Sequence, residues 1–457
     1  MMTFSAAAEL TGGTLHGMDG VFSGVRIDSR AVQRGELFVA IRGDRLDGHD
    51  FVADAADRGA AGALVARRTD ADISQVAVAD TTVALGRLAL DWRRAFDIPV
   101  IGITGSNGKT TVTAMVREIL SVSGHPLAPR ESYNNQWGVP LTLLELTGGH
   151  THAVIEMGMN HAGEIDRLTR IAAPTVALVN NAVAAHLEGL GSVERVAEAK
   201  GEIFNGLGPD GVAVLNRDDP NFGLWQALAG ERRILTFGLK NDADFRGLDV
   251  GFTPAGSRLS VRGPAGDAEI TLAVPGRHNV MNALAAMAAC HAVGTDPDDL
   301  SAGLAAFTGI PGRLRRLSAA GGATLVDDSF NANPGSVAAA IDFLSSQPGR
   351  RILVLGAMAE LGHSAEEHHA AMGSYARRGG IDRLLVLNDG DNPDLAGYRR
   401  GYGGCTEVFP DVPSLVASLA SEDRPGNIIL VKGSKSSRMG RVVQALAAGG
   451  EPGGASC

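Results

Sequence analysis

Between residues 102 and 111 the chain reads GITGSNGKTT, a set of residue types suited to holding phosphate. Its glycines let backbone N–H groups turn inward, and those amides, together with the N-terminus of a following helix, make an anion site. Lys109 has the reach for terminal phosphates, and the Thr110 hydroxyl can ligate Mg²⁺. The ligand this combination predicts is a nucleoside triphosphate, taken up by Gly105, Ser106, Asn107, Gly108, Lys109, Thr110 and Thr111. The spacing departs from the general pattern: five residues separate Gly102 from Gly108, one more than usual, and Ile103 stands at the usual glycine position. A glycine-rich turn with an incidental lysine is the bland alternative, disfavoured because strand, loop, Lys-Thr pair and helix all agree. The loop alone leaves the fate of the phosphate open, since kinases, GTPases and ligases share it. Glu156 ends another apolar run, HAVIEM. A carboxylate there, at the carboxyl edge of a parallel sheet, can hold a metal, although a lone strand-end glutamate is more often a solvated rim residue.

Such a loop needs a buried strand before it and a helix after it. IPVIGI from Ile98 is a compact β-branched run, and TTVTAMVREIL has helical periodicity. Further apolar runs at HAVIEM, TVALVN, GVAVLN and RRILTFG, with helical stretches between several of them, predict a central mononucleotide-binding domain over residues 98–308 with a largely parallel sheet. Residues 1–97 read as a small α/β domain with one helical stretch, FVADAADRGAAGALVA from Phe51. Pro311 and Gly312 end a long alanine-rich helix, NVMNALAAMAACHAV, and a second alternating series follows. Its strands are ATLVDD, RRILVLG, RLLVLN and NIILVKG, with helices from near Ser336, Ser364, Val412 and Ser436. This predicts a doubly wound, Rossmann-like third domain over residues 309–457, with NDGDNPDLAG as a polar turn and the tail 447–457 disordered. The fold class expected is therefore α/β in three domains.

Composition agrees. A chain of 457 residues exceeds what one core serves, and 44% hydrophobic with 20% charged residues is globular. A formal charge of −10 argues against nucleic-acid affinity and polybasic membrane anchoring, so anionic ligands need local positive sites. Cys290, Cys405 and Cys457 are scattered and odd in number, which suggests a reducing compartment. The start, MMTFSAAAEL, lacks signal-peptide features, and no apolar run reaches the ~18 residues of a membrane helix. A cytoplasmic monomer without stable membrane insertion is expected.

The longer-spaced loop resembles the GxTGSNGKT form of the Mur ligases, and the likeness continues elsewhere. EMGMNHAGEI, from Glu156 to Ile165, is similar to a family pattern that makes Glu156 a metal ligand. NNAVAAHLEGLGSVERVAEAKGEIF resembles the segment holding a histidine ligand and a lysine carbamylated by CO₂, which fall on His186 and Lys200. Carbamylation converts a cation that would repel a second Mg²⁺ into an anionic oxygen ligand. The resemblance thus implies Lys109, Lys200, His186 and Glu156 as catalytic residues, and Thr110, Glu156, His186 and carbamylated Lys200 as ligands for two Mg²⁺ ions. PGRHNVMNALAA resembles an adenine-contacting stretch, implicating His278, Asn279 and Asn282, with an ordinary helix cap as the alternative for Asn279. In GRLRR, Arg313 matches an arginine that reaches nucleotide phosphate from across the cleft; a hinge-surface arginine is its alternative.

Family members differ in what they add. VDDSFNANPGSV is similar to the motif of the member that adds D-alanyl-D-alanine, which places Asp328, Asn331 and Asn333 on the dipeptide side, with Phe330 where tyrosine is commoner. GAMAELGHSAEEHH, with Met358, Glu360, Leu361, Gly362 and His369, and VKGSKSSRM support the same member, although Lys435 stands where arginine is more usual. VRIDSRAVQRGELFVAIRGDRLDGHDF resembles a uridine-nucleotide segment, with Asp28, Ser29 and Arg30 as contacts and Asp47, Gly48, His49 and Phe51 completing the pattern. Asn134 and Asn135 of ESYNNQWGVP resemble tripeptide contacts. The reaction implied is ATP-dependent joining of D-alanyl-D-alanine to a UDP-N-acetylmuramoyl-tripeptide through an acyl phosphate, with ADP formed, in peptidoglycan precursor synthesis. The alternatives are a relative adding diaminopimelate or lysine to the UDP-muramoyl dipeptide, a folate polyglutamylating ligase and, from another class, an ATP-gated binding module.

Overall fold

The computed structural model describes residues 1–130, 133–184, 187–253 and 256–447. Its first sheet has five short strands: Val25–Arg26, Leu37–Val39, Gly62–Val65 and Gln75–Ala77 run parallel, and Thr14–His16 pairs antiparallel at the edge. The stretch from Phe51 is not one helix. It is helical over Val52–Asp57, turns at Gly59 with φ +92°, and continues as the buried strand Gly62–Val65. A strand covered on both faces is apolar at every position, so GALV carries no alternation to mark it.

The second sheet has nine strands. Seven run parallel, in the order Phe245–Thr253, Arg233–Gly238, Val212–Asn216, Val176–Val179, Val100–Thr104, His152–Glu156 and Pro126–Leu127. Gly256–Gly263 and Gly266–Leu272 extend one edge antiparallel, an addition the sequence reading did not anticipate. The alanine-rich helix Arg277–Ala292 does not run on to Pro311. A second helix, Pro297–Ala306, intervenes, started by Asp296 accepting from Asp298 N–H and by proline in its first turn.

The third sheet has six strands in the order Arg315–Ser318, Thr324–Asp328, Asn427–Lys432, Arg350–Leu355, Arg383–Leu387 and Glu407–Phe409, all parallel except the first. The polar turn at NDGDNPDLAG is present, with Asn392 capping a 3₁₀ turn, but it leads directly into an unanticipated helix, Ala396–Tyr402. Residues 448–457, most of the tail expected to be disordered, lie outside the described residues, and Ala447 bridges to Ala319.

The domains are joined in two different ways. One continuous apolar core runs from Phe4, Leu37, Leu64 and Leu88 of the first domain to Val139, Ile155, Leu168 and Val179 of the central one. Trp92 Nε1 donates to Leu146 O at 3.0 Å across that junction, and Arg93 caps Ala172 O, Phe96 O and Ile98 O. The third domain keeps its apolar clusters to itself, over residues 314–447, and meets the central domain largely through polar groups. Among the described residues no helix is long and apolar enough to cross a membrane.

Gly303 packs against the backbone of Ile119 and Glu118, so that helix Pro297–Ala306 lies directly on the helix that carries the phosphate loop. A β-carbon there would collide with Ile119 Cα. Gly303→Ala should therefore destabilise the protein, since the clash outweighs the ~1 kcal/mol that alanine gains by helix propensity. A thermal melt checks this; an unchanged or raised Tm would contradict the packing.

Candidate active site

Four neighbouring parallel strands end together. Ile103 pairs with Glu156 on one side and Leu178 on the other, and Val179 pairs with Leu215. In-register parallel strands bring whatever follows them to one edge, which is where open α/β sheets hold ligands. Here that edge gathers the phosphate loop, Glu156, Asn180, Asn181 and Asn216.

In the loop, Gly105 has φ +155° and Gly108 φ +82°. A side chain at Gly108 would meet Asn282 Oδ1 and Asn180 Nδ2. The first helical bond runs from Val112 N–H to Gly108 O at 2.8 Å, so the amides of Lys109, Thr110 and Thr111 face the cavity end of the helix without intrahelical acceptors. Two loop amides are differently employed: Ser106 N–H donates to Asn181 O and Asn107 N–H to Asn181 Oδ1, each at 2.9 Å. The backbone carbonyl and side chain of Asn181, just past a strand end, therefore take part of the inward-facing amide set that the motif suggests. Lys109 Nζ folds back on Gly105 O at 2.7 Å. Burial lowers its pKa, opposed by Glu156, with Arg313 lowering it further and Glu360 opposing.

Glu156 is 1% exposed, and its Oε1 accepts from Asn134 Nδ2 at 2.7 Å. Its Oε2 is buried and has no hydrogen-bond partner among the described residues, a costly arrangement for a carboxylate unless another group completes it. Asn134 thus holds Glu156, while Asn135 Oδ1 accepts from Trp137 N–H and Gly138 N–H. Lys200 closes helix Val193–Gly201 and is 1% exposed. Burial first, and the charge of Lys109 second, hold its pKa well below the ordinary lysine value. His186 lies outside the described residues. Among the described residues no three His, Cys, Asp or Glu side chains form a metal cluster, but Mg²⁺ binds commonly through one or two protein oxygens plus phosphate and water. The orphaned Glu156 oxygen, with the Thr110 hydroxyl at the same edge, fits that donor set.

The third domain reaches this edge from the opposite side. Arg313 Nη2 donates to Thr110 Oγ1 at 3.1 Å, and its guanidinium carbon stands 4.3 Å from the Phe330 ring centroid. Phe330 supplies an aromatic face here without the hydroxyl of a tyrosine. Asp328 accepts from Lys432 Nζ at 2.6 Å and from Leu314 N–H at 3.2 Å, and Lys432 also donates to Asn331 O. Asn333 caps helix Pro334–Ser345 and exchanges amide bonds with Asn107, at 2.8 and 3.4 Å. His369 Nε2 accepts from Met358 N–H at 3.0 Å, bracing the loop in which Glu360 adopts φ +60°.

The phosphate loop, Glu156, Arg313, Asp328, Phe330 and Asn333 line one cavity of about 810 Å³, whereas Lys200 and His369 are not part of its lining. On its central-domain side lie His278, whose pKa burial lowers, Asn279, which donates to Pro275 O at 2.8 Å, and Asn282. Lys432, Ser434, Ser436, Asn180, Asn181 and Asn216 also line it. Sequence reasoning assigned them no role; the paired asparagines after TVALV were the available signal. Asp28, Ser29, Arg30, Asp47 and His49 do not line the cavity. Asp28 caps a turn and pairs with Arg30. Asp47 accepts from His49 N–H and Nδ1, which push its carboxyl down to about 2, and His49 Nε2 accepts from Ala66 N–H.

Two sheets that turn their carboxyl edges to one cavity, with a lysine-bearing phosphate loop on the first, define a nucleotide-binding α/β protein of several domains. The description "Mur ligase family, catalytic domain" matches residues 21–93, "Mur ligase middle domain" residues 103–290 and "Mur ligase, glutamate ligase domain" residues 312–435. The UDP-N-acetylmuramoyl-tripeptide–D-alanyl-D-alanine ligase of Escherichia coli (strain K12) is 42% identical over 449 residues, 97% of this chain and 98% of its own length. A crystal structure of MurF from Acinetobacter baumannii has a TM-score of 0.89 at 32% identity, covering 96% of this chain and 97% of that one. A Thermotoga maritima MurF ligase in complex with ADP has a TM-score of 0.82 at 28% identity, covering 92% and 96%. The chain belongs to the Mur ligase family.

The Asp328–Lys432 pair is buried, at 8% and 3% exposure. Asp328→Ala leaves the ammonium without its counter-charge, a loss of about 3–5 kcal/mol for buried pairs. Urea unfolding followed in the third domain should show a lowered midpoint, and an unshifted one would mean the pair contributes nothing.

Proposed function

We propose that this chain joins D-alanyl-D-alanine to the free carboxylate of a UDP-N-acetylmuramoyl-tripeptide, converting ATP to ADP and phosphate in peptidoglycan precursor synthesis. What carries the proposal is the 42% identity, across 97% of the chain, to the Escherichia coli ligase of that name. The common cavity of phosphate loop and DDSFNANP strand end supports it. Residues 1–97 hold the UDP substrate, through Asp28, Ser29 and Arg30 on a turn shaped by Asp47 and His49; residues 98–308 hold ATP; residues 309–457 hold the dipeptide, near Asp328, Asn331 and Asn333. The diaminopimelate-adding alternative is not favoured: the ligase of that kind is 20% identical, a likeness of fold alone.

The γ-phosphate passes from ATP to the tripeptide carboxylate, so that a bond from carboxylate oxygen to phosphorus forms as the bond to the ADP oxygen breaks. The dipeptide amine then attacks the acyl carbon; the C–N bond forms, inorganic phosphate leaves and the nitrogen loses a proton. Positioning and charge compensation carry phosphoryl transfer of this kind. The amides of Lys109, Thr110 and Thr111 and the Lys109 ammonium hold the phosphates, and Arg313 adds a cation from the third domain. His278, Asn279 and Asn282 hold the adenine side, and Asn135 with Asn134 faces the tripeptide. Thr110, Glu156, His186 and a Lys200 carbamate would hold Mg²⁺, which supplies charge neutralisation at the phosphates. The depressed Lys200 pKa favours this modification, because a neutral amine adds to CO₂, releasing a proton and leaving an anionic carbamate. Burial in a cytoplasmic enzyme then protects it.

A panel of substrates tests the assignment through ADP release. Release should need both the UDP-muramoyl tripeptide and D-alanyl-D-alanine; release with the dipeptide precursor and diaminopimelate instead would overturn it. Lys109→Ala should lower kcat by about a hundredfold or more, as loss of a preorganised charge contact does. For Lys200, activity should fall when CO₂ is stripped and return with bicarbonate, and an active protein whose intact mass lacks a carbamate under CO₂ would remove that ligand.

A further inference from the structure

A chain of amide side chains runs behind the phosphate loop. Asn181 holds both backbone groups of Asn107: its Oδ1 accepts from Asn107 N–H at 2.9 Å, and its Nδ2 donates to Asn107 O at 3.0 Å. Its own carbonyl accepts from Ser106 N–H at 2.9 Å. Asn180 Nδ2 donates to the same Asn107 O and to Asn282 Oδ1, each at 2.9 Å. Asn282 donates in turn to Asn279 Oδ1 at 3.4 Å, and Asn216 Nδ2 holds Asn180 O at 2.9 Å.

The orientation of Asn180 is set by these bonds. Turning its amide over would face its oxygen against Asn107 O and Asn282 Oδ1, so the native orientation persists although it leaves Asn180 Oδ1 buried without a partner among the described residues. A buried acceptor left unpaired is destabilising. It is kept where the two bonds it permits fix something else, and here they fix the peptide one residue before Gly108.

We propose that Asn180 and Asn181 are positioning residues for the nucleotide: their amides hold the Asn107 peptide so that Gly108 and the first helical turn present their N–H groups to the β- and γ-phosphates, in register with the adenine-side residue Asn282. Neither touches the reacting atoms. Amides suit this place because they donate and accept at once and carry no charge, leaving the field of the site to Lys109 and Arg313. The loop has one residue more than the usual phosphate loop, and Asn181 ties that extra length to the adjacent strand end. This role presupposes a triphosphate on the loop.

Calorimetric titration of the full-length protein with ATP, ADP and AMP in the presence of Mg²⁺ tests it. Asn181→Ala removes one donor and one acceptor and should weaken ATP and ADP by about 10- to 100-fold, while AMP, which has no β-phosphate, weakens less than about threefold. Asn181→Asp keeps the acceptor for Asn107 N–H but sets an anion against Asn107 O, so it should lose ATP affinity in the same phosphate-dependent way while preserving the fold. ATP affinity equal to that of the parent in either folded variant would overturn the role, as would an equal loss for all three nucleotides, which marks general damage. If Asn181→Ala does not fold, the Asp variant decides alone. A parent protein that binds no ATP would instead defeat the phosphate-loop assignment itself.

Discussion

Two anions must be brought together in this protein, a triphosphate and a carboxylate, inside a chain whose own formal charge is −10. Mutual repulsion at a few ångströms amounts to several kcal/mol in a partly desolvated site, so the arrangement depends on positive groups held where water cannot supply them. The structure collects Lys109, Arg313 and Lys432 around one cavity, with Lys200 buried behind. Lys432 is brought there by a strand end, Lys109 by a helix start and Arg313 by the turn that precedes strand Arg315–Ser318. Parallel strands in register deliver their carboxyl ends to one edge, and helix N-termini add partial positive charge at the same place.

Crowding cations has its own consequence. Lys109 lowers the pKa of Lys200, and Arg313 that of Lys109, while Glu156 and Glu360 act in the opposite sense on Lys109. Glu156 is therefore part of the balance as well as a candidate metal ligand. Asp328 plays the same part for Lys432 and at the same time receives Leu314 N–H, so one carboxylate fixes both a cation of the site and the chain just after the entry to the third domain.

The junctions match the work proposed for them. The first and central domains share an apolar core, which makes them one body, whereas the third meets the central domain through Arg313–Thr110 and the reciprocal amides of Asn107 and Asn333. Polar junctions of this kind separate and re-form with little loss, and domain movement is their ordinary consequence. An acyl phosphate must be kept from water, and a third domain able to close over it would do so.

The phosphate loop, the alternating strands and helices and the three-domain α/β architecture were legible in the sequence because each depends on residues near one another in the chain. GALV was misread, since a strand covered on both faces shows no alternation, and the antiparallel hairpin at the sheet edge was missed. Resemblance singled out Lys200 by position, but only the folded chain shows the burial that, with the charge of Lys109, lowers its pKa. The link from Asn180 to Asn282 joins residues 102 apart, and that from Asn107 to Asn333 residues 226 apart. Short-range chemistry follows from neighbours along the chain and is written there; side-chain pairings across domains depend on sheet order and register, which only the folded chain decides.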